Sequence, residues 1–129
     1  MSGRRRSAAA AAVIALAAMF ATTPASAGRG DDLPERLLVT AREYNLTLSQ
    51  PKVGGGDAIV QLYDYGEDPH DLQLQRQGGS RIFELGTVLP GEVGELKLRL
   101  KRRSTYVLWC SFSDHAARGM VATLRTKRR

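Results

Sequence analysis

The chain has 129 residues, 25% charged and 43% hydrophobic, with a formal charge of +6, one Cys and two His. That length carries one domain with a modest core rather than two, and a lone cysteine excludes an internal disulfide as a staple. The charge is uneven: residues 1–27 hold three arginines and no acid, so the other 102 carry 16 Lys and Arg against 13 Asp and Glu, a mild +3 that gives no case for nucleic acid.

Residues 1–27 read as a secretory signal, with Arg4, Arg5 and Arg6, an apolar run over 8–20, and the small-residue ending Ala25-Ser26-Ala27. The run is shorter than the roughly 20 residues of a spanning helix. A mature domain over 28–129 is therefore expected outside the cytoplasm, secreted or in the periplasm or envelope. Retention of the segment would anchor it to a membrane instead. Adjacent arginines suit either a general or a twin-arginine export route.

From residue 28 onward no segment sustains a helical period, and several alternate apolar and polar residues between Gly, Pro and Asp. Strands are expected at 37–43, 44–49, 58–63, 70–76, 81–88, 95–101, 105–110 and 121–126. Eight short antiparallel strands make an all-β domain, a Greek-key sandwich or barrel. In the strand over 70–76, His70, Leu72 and Leu74 share the apolar face while Asp71, Gln73 and Gln75 share the other, so His70 looks inward. In the strand over 95–101, Leu96, Leu98 and Leu100 face the core. Lys97, Arg99 and Lys101 form an outward row that protects an edge or docks an acidic partner. The glycines at 54–56 and 78–79 are turns, since no helix follows to complete a phosphate cradle. The basic tail over 125–129 suits a solvated terminus or a loose contact with an anionic membrane surface.

Beyond the signal, the only thiol, thioether and imidazole donors are Cys110, Met120, His70 and His115. Three of them fall in one passage, Cys-x4-His-x4-Met, where a strand ends at Cys110 and a loop returns an imidazole and a thioether toward that sulfur. One thiolate, two imidazoles and a weak axial thioether form a copper donor set that suits neither Cu(I) nor Cu(II) alone, so little moves on electron exchange. Zinc seldom takes a thioether, and its catalytic sites keep a position open for water. A cysteine nucleophile with His115 as base lacks an orienting Asn and an oxyanion glycine pattern. Taken singly, His70 and Met120 also read as core residues and Cys110 as an inert buried thiol.

The passage resembles the C-terminal ligand loop of the cupredoxins, the type 1 blue copper proteins, which include plastocyanin-, azurin- and auracyanin-like members. The ligand order Cys, His, Met is shared. The stretch Asp64-Tyr65-Gly66-Glu67-Asp68-Pro69-His70-Asp71-Leu72 is similar to the family's Asn-x-Gly…Pro-His-Asn pattern. The resemblance covers 39–125. It implies a cupredoxin-like sandwich with one copper ion, His70, Cys110 and His115 as equatorial ligands and Met120 as the axial one. It further implies a monomer, not an enzyme, that cycles between Cu(I) and Cu(II) and passes single electrons to redox protein partners, with His115 as the electron port. A copper carrier or homeostasis protein using the same four residues is the alternative, though such carriers usually show extra Met and His near the site. A metal-free binding module on the same sandwich is a third reading.

Two departures from the family pattern bear on the site. The usual Asn after the upstream His is Asp71, which can accept the Ser111 hydroxyl but has no amide proton to give. The pattern's first Asn is Asp64, a turn-former in either form. Trp109, beside Cys110, is expected on the opposite face as core or inter-sheet packing.

Overall fold

Alternation of apolar and polar residues builds the strands, and it is plainest in the first. In β1 (Glu35–Arg42), Leu37, Val39 and Ala41 are buried while Arg36, Leu38 and Arg42 are exposed. The computed structural model describes residues 33–128. The signal-like segment over 1–27, with its cleavage point, lies outside the described residues. The other strands are β2 (Asn45–Leu48), β3 (Lys52–Gly54), β4 (Gly56–Asp64), β5 (His70–Arg76), β6 (Ile82–Val88), β7 (Val93–Leu100), β8 (Thr105–Trp109) and β9 (Val121–Lys127).

The strands form two sheets, ordered β2-β1-β4-β7 and β3-β9-β8-β5-β6. Their inner faces meet as a sandwich, with Leu37, Val39, Val60 and Leu62 from one sheet and Leu72, Leu74, Leu108 and Leu124 from the other in a single buried cluster. Each such side chain contributes about 1.5–3 kcal/mol on leaving water. Strand β8 returns beside β5 after β6 and β7, the return that makes a Greek key.

Away from the metal pole, the structure differs from the sequence expectation in three respects. A ninth strand, β3, is only three residues long, too short to show alternation. Two pairings are parallel, β1 with β4 from Glu35↔Ala58 onward and β3 with β9 from Lys52↔Arg125 onward, because the intervening chain crosses between the sheets. Trp109 does point away from its buried neighbours Leu108 and Cys110, yet it lies half-buried outside the core cluster rather than between the sheets. The inward leucines and outward cations of β7 stand as expected, as does the inward His70.

Strand direction gives the sandwich two poles. Strands β1, β4, β6 and β8 run toward one pole and β2, β3, β5, β7 and β9 run away from it. The first pole gathers the β1–β2 turn, the β4–β5 loop, the β6–β7 turn and the β8–β9 loop. Backbone bonds lash them together: Tyr65 N–H donates to Ala41 O at 2.9 Å, Asp64 N–H to Glu92 O at 3.0 Å, and Gly91 N–H to Asp64 O at 2.8 Å.

Candidate metal centre

All four candidate donors of the sequence lie at this first pole. His70 is the first residue of β5, behind Pro69, whose ring removes a backbone donor where the ladder begins. A register shift between His70 and Leu72 against β6 marks a bulge, the usual device for re-aiming a side chain at a sheet end. Cys110 follows the last residue of β8, and Met120 precedes the first residue of β9. The loop between them is closed by its own backbone: Cys110 N–H donates to Met120 O at 3.2 Å, Met120 N–H to His115 O at 3.0 Å, and His115 N–H to Phe112 O at 2.9 Å. At Gly119, φ is +125° and an added Cβ would sit 2.7 Å from the Tyr44 carbonyl oxygen, so the loop packs backbone to backbone against the β1–β2 turn.

The closure brings three donors together. One ligand atom each from His70, Cys110 and His115 lie within 4.8 Å of one another. The sulfur is 3.9 Å from His70 Nδ1 and 3.6 Å from His115 Nδ1, so both imidazoles turn the same nitrogen to the thiol. His70 and Met120 are 0% exposed and Cys110 1%, whereas His115 is half-buried. Around His115 stand the rings of Tyr44 at 5.3 Å, His70 at 5.2 Å and Phe112 at 6.2 Å. The Arg118 guanidinium lies 3.7 Å over the Tyr44 ring and pairs with Asp114.

Burial pushes the Cys110 thiol above its ordinary value of 9.0. The N–H groups of Asp71 and Phe112 pull it partly back, and the Asp71 carboxylate pushes it up again. The thiol of the metal-free protein is therefore protonated at neutral pH, and a metal must displace that proton to bind.

Sequence reasoning missed two acids at the centre. His70 Nε2 lies 2.9 Å from Glu43 Oε1, and only a proton on Nε2 can bridge that pair. The carboxylate thus fixes the tautomer and leaves the Nδ1 lone pair facing the sulfur. Glu43 Oε1 also accepts from Glu67 N–H at 3.0 Å and Asp68 N–H at 2.9 Å. Burial works to raise the Glu43 carboxyl, but hydrogen bonds from Asp68, its own N–H, His70 and Glu67 outweigh it and hold it at about 2. A side chain at Gly66 would collide with this carboxylate, which explains the glycine in the β4–β5 loop. Asp64 is the turn-former expected, accepting from Gly66 N–H at 2.9 Å, but it is also wholly buried, 3.9 Å from His70 Nε2, with its Oδ2 unpartnered. Nothing local marks Glu43 for this role, because it stands 27 residues before His70.

Asp71 and Ser111 form the expected brace, and it is doubled. Asp71 Oδ1 accepts from Ser111 N–H at 2.6 Å, and Oδ2 accepts from the Ser111 hydroxyl. The alternation of β5 predicts Asp71 on the outward face, yet it is only 6% exposed because the Cys110–Ser111 corner folds over it.

A thiol sulfur and two imidazole nitrogens converging at a largely buried point, with a thioether residue closing the same loop, fit copper better than zinc, calcium or magnesium. Two sheets of this order with a His-Cys-His cluster between their polar loops have the cupredoxin fold. Among solved structures, the chain is similar to reduced auracyanin from Roseiflexus castenholzii, at 15% identity and a TM-score of 0.57 over 70% of this chain and 95% of that one. It is also similar to auracyanin A, a "blue" copper protein from Chloroflexus aurantiacus, at 12% identity and 0.57 over 71% and 98%. A purple cupredoxin from Nitrosopumilus maritimus matches at 18% identity and 0.50, again over 71% and 98%. No family model and no curated protein matches the sequence.

Proposed function

We propose that this protein is an extracytoplasmic type 1 copper protein of the cupredoxin family, holding one copper ion through His70, Cys110, His115 and Met120 and passing single electrons to redox protein partners. The observation that carries the reading is the convergence of His70, Cys110 and His115 donor atoms within 4.8 Å at the pole where the ligand loop closes. Bound copper would supply a one-electron couple. The chain supplies the rest. Glu43 fixes the His70 tautomer, Asp71 ties the two ligand segments together, and the packed sandwich limits movement between oxidation states. Three of the four residues are buried, which suits retention of the ion better than exchange with a delivery partner. His115, at the edge of the site with Tyr44 and Phe112, is the route for the electron. With a thiolate, two imidazoles and an axial thioether on one copper ion, no position is left open for a substrate, and the proposed role is electron transfer rather than catalysis.

The test is reconstitution of the purified protein with Cu(II). An intense visible thiolate-to-copper charge-transfer band is expected, and Cys110→Ser removes it. Met120→Gln is expected to keep the band and lower the reduction potential, as a long axial ligand tunes more than it holds. A colourless wild-type protein refutes the copper site; loss of copper in Met120→Gln refutes the axial assignment.

A further inference from the structure

Along one flank of the sandwich the two sheets end side by side. β7 is the outermost strand of the first sheet and β6 the outermost strand of the second, so each leaves a row of backbone N–H and C=O groups without a ladder partner. The two strands are joined only at the metal pole, through 89–92. There they touch: a Cβ added at Gly94 would lie 2.6 Å from Leu85 Cδ2 and 2.7 Å from Val88 Cγ2. Farther from that pole the edges part, and a groove of about 530 Å³ opens between 81–84 and 96–99. Its apolar side chains point into the sandwich yet stay half-buried: Leu96 and Leu98 from β7, and Phe83, which pairs with the buried Leu74. Leu100, on the same face of β7, is 2% exposed. The groove is thus a stretch of core without a cover. Its rim is basic, because Lys97, Arg99 and Lys101 stand on the outward side of β7 against one acid, Glu95. Arg99 pairs with Asp57 at 2.8 Å, but Lys97 reaches Glu95 only at 3.9 Å with its side chain 78% exposed. Lys101 has no ion pair among the described residues, and neither has Arg81, whose guanidinium lies 4.5 Å over the Phe83 ring. Glu84 also lines the groove, but it stands opposite Gln73 on the outer side of the second sheet.

We infer that this groove binds an extended polypeptide segment of alternating acidic and apolar residues, which adds to the first sheet as a strand beside β7. A strand in that place pairs its backbone with the free edge. Every second side chain then lies on Phe83, Leu96 and Leu98, and the others stand beside Lys97, Arg99 and Lys101. One ligand therefore satisfies the open ladder, the uncovered core and the basic rim together. A bilayer surface is too broad to enter a slot between two strands. A second copy of β7 would set the same cation-rich row against this one, whereas acidic side chains across the ladder attract it. The groove lies away from the metal pole, and the inference holds whether or not the metal reading does.

The experiment is a fluorescence-anisotropy titration of the full chain with a labelled octapeptide of alternating Glu and Val. Three peptides serve for comparison: one with all its Glu at one end, one with Lys in place of Glu, and the alternating peptide methylated at every second backbone nitrogen. The alternating peptide is expected to bind, and the other three to bind at least about tenfold more weakly. Amide exchange along 95–99 is expected to slow in the complex. Replacing Lys97, Arg99 and Lys101 by Gln weakens binding on the order of tenfold at low salt, a difference that closes at high salt. Replacing Arg102, Arg103 and Arg125 by Gln removes equal charge away from the groove and leaves most of the binding. Circular dichroism confirms that each variant is folded. Absence of binding overturns the inference, and so does equal binding of the methylated or end-loaded peptide, which would indicate charge attraction without a strand. Equal loss in the two triple variants overturns it as well. If the chain alone sediments as a dimer with the amides of 95–99 already protected, a second copy fills the groove and the inference fails.

Discussion

The Glu43 carboxylate holds His70 by its Nε2–H at 2.9 Å, so an acid at the end of β1 orients a ligand at the start of β5. A negative charge beside an imidazole ligand stabilises the more positive oxidation state of a bound ion. Glu43→Gln is therefore expected to raise the reduction potential, on the order of tens of millivolts after screening. Glu43→Leu, which deletes the acceptor, is expected to weaken copper binding by about 10–100-fold. Voltammetry and competition titration check these. In the copper-free protein, imidazole nitrogen shifts should show His70 protonated at Nε2, and a predominant Nδ1–H form would refute the orienting role.

The same acid gives the metal-free fold a pH signature. Glu43 is held at about 2 against an ordinary value of 4.5, so its hydrogen bonds add stability that is fully present above 4.5 and lost as pH falls through about 2. The melting temperature of the wild type is expected to drop across that window. Glu43→Gln should be less stable than wild type at pH 6, with the gap narrowing toward pH 2. A gap that stays constant with pH would show that the carboxylate charge contributes nothing there.

What could be read from the sequence was local or scarce. The rows Leu96, Leu98, Leu100 and His70, Leu72, Leu74 alternate within single strands, and alternation decides burial without knowledge of partners. The donors stood out because the chain beyond residue 27 has so few of them, three within eleven residues. What stayed hidden depends on distant segments. The parallel pairing Glu35↔Ala58 and the Glu43–His70 bond arise only when the strands cross between sheets. Trp109 was misplaced because an aromatic beside a buried strand residue reads as core, although its face of β8 is the outer one.

Copper uptake is expected to release the Cys110 proton. Since burial, moderated by the N–H groups of Asp71 and Phe112, holds the thiol above 9.0, it is protonated throughout neutral pH. Apparent copper affinity should then rise about tenfold per pH unit between roughly pH 7 and 8.5, one thiol proton being released for each ion bound. Competition titrations at several pH values give the slope. A flat profile would mean that the thiol is ionised before the metal arrives.

Asp71 separates charge from geometry at the site. Its two oxygens accept from the Ser111 N–H and hydroxyl, tying the start of β5 to the residue after Cys110. In Asp71→Asn the amide oxygen still accepts from Ser111 N–H and the amide N–H₂ can donate to a turned hydroxyl, so the brace survives while the charge is lost. At an effective dielectric of about 20 and a separation of about 7 Å, that charge is worth on the order of 2 kcal/mol before screening. The potential of Asp71→Asn should therefore rise by tens of millivolts with the ligands and the charge-transfer band retained. Asp71→Ala removes the acceptors as well and leaves the Ser111 N–H without a protein partner, a loss of about 1–3 kcal/mol. For a domain of this size that lowers the melting temperature by several degrees. An unchanged or lower potential in Asp71→Asn would sink the electrostatic role, and an Asp71→Ala protein as stable as wild type would sink the brace.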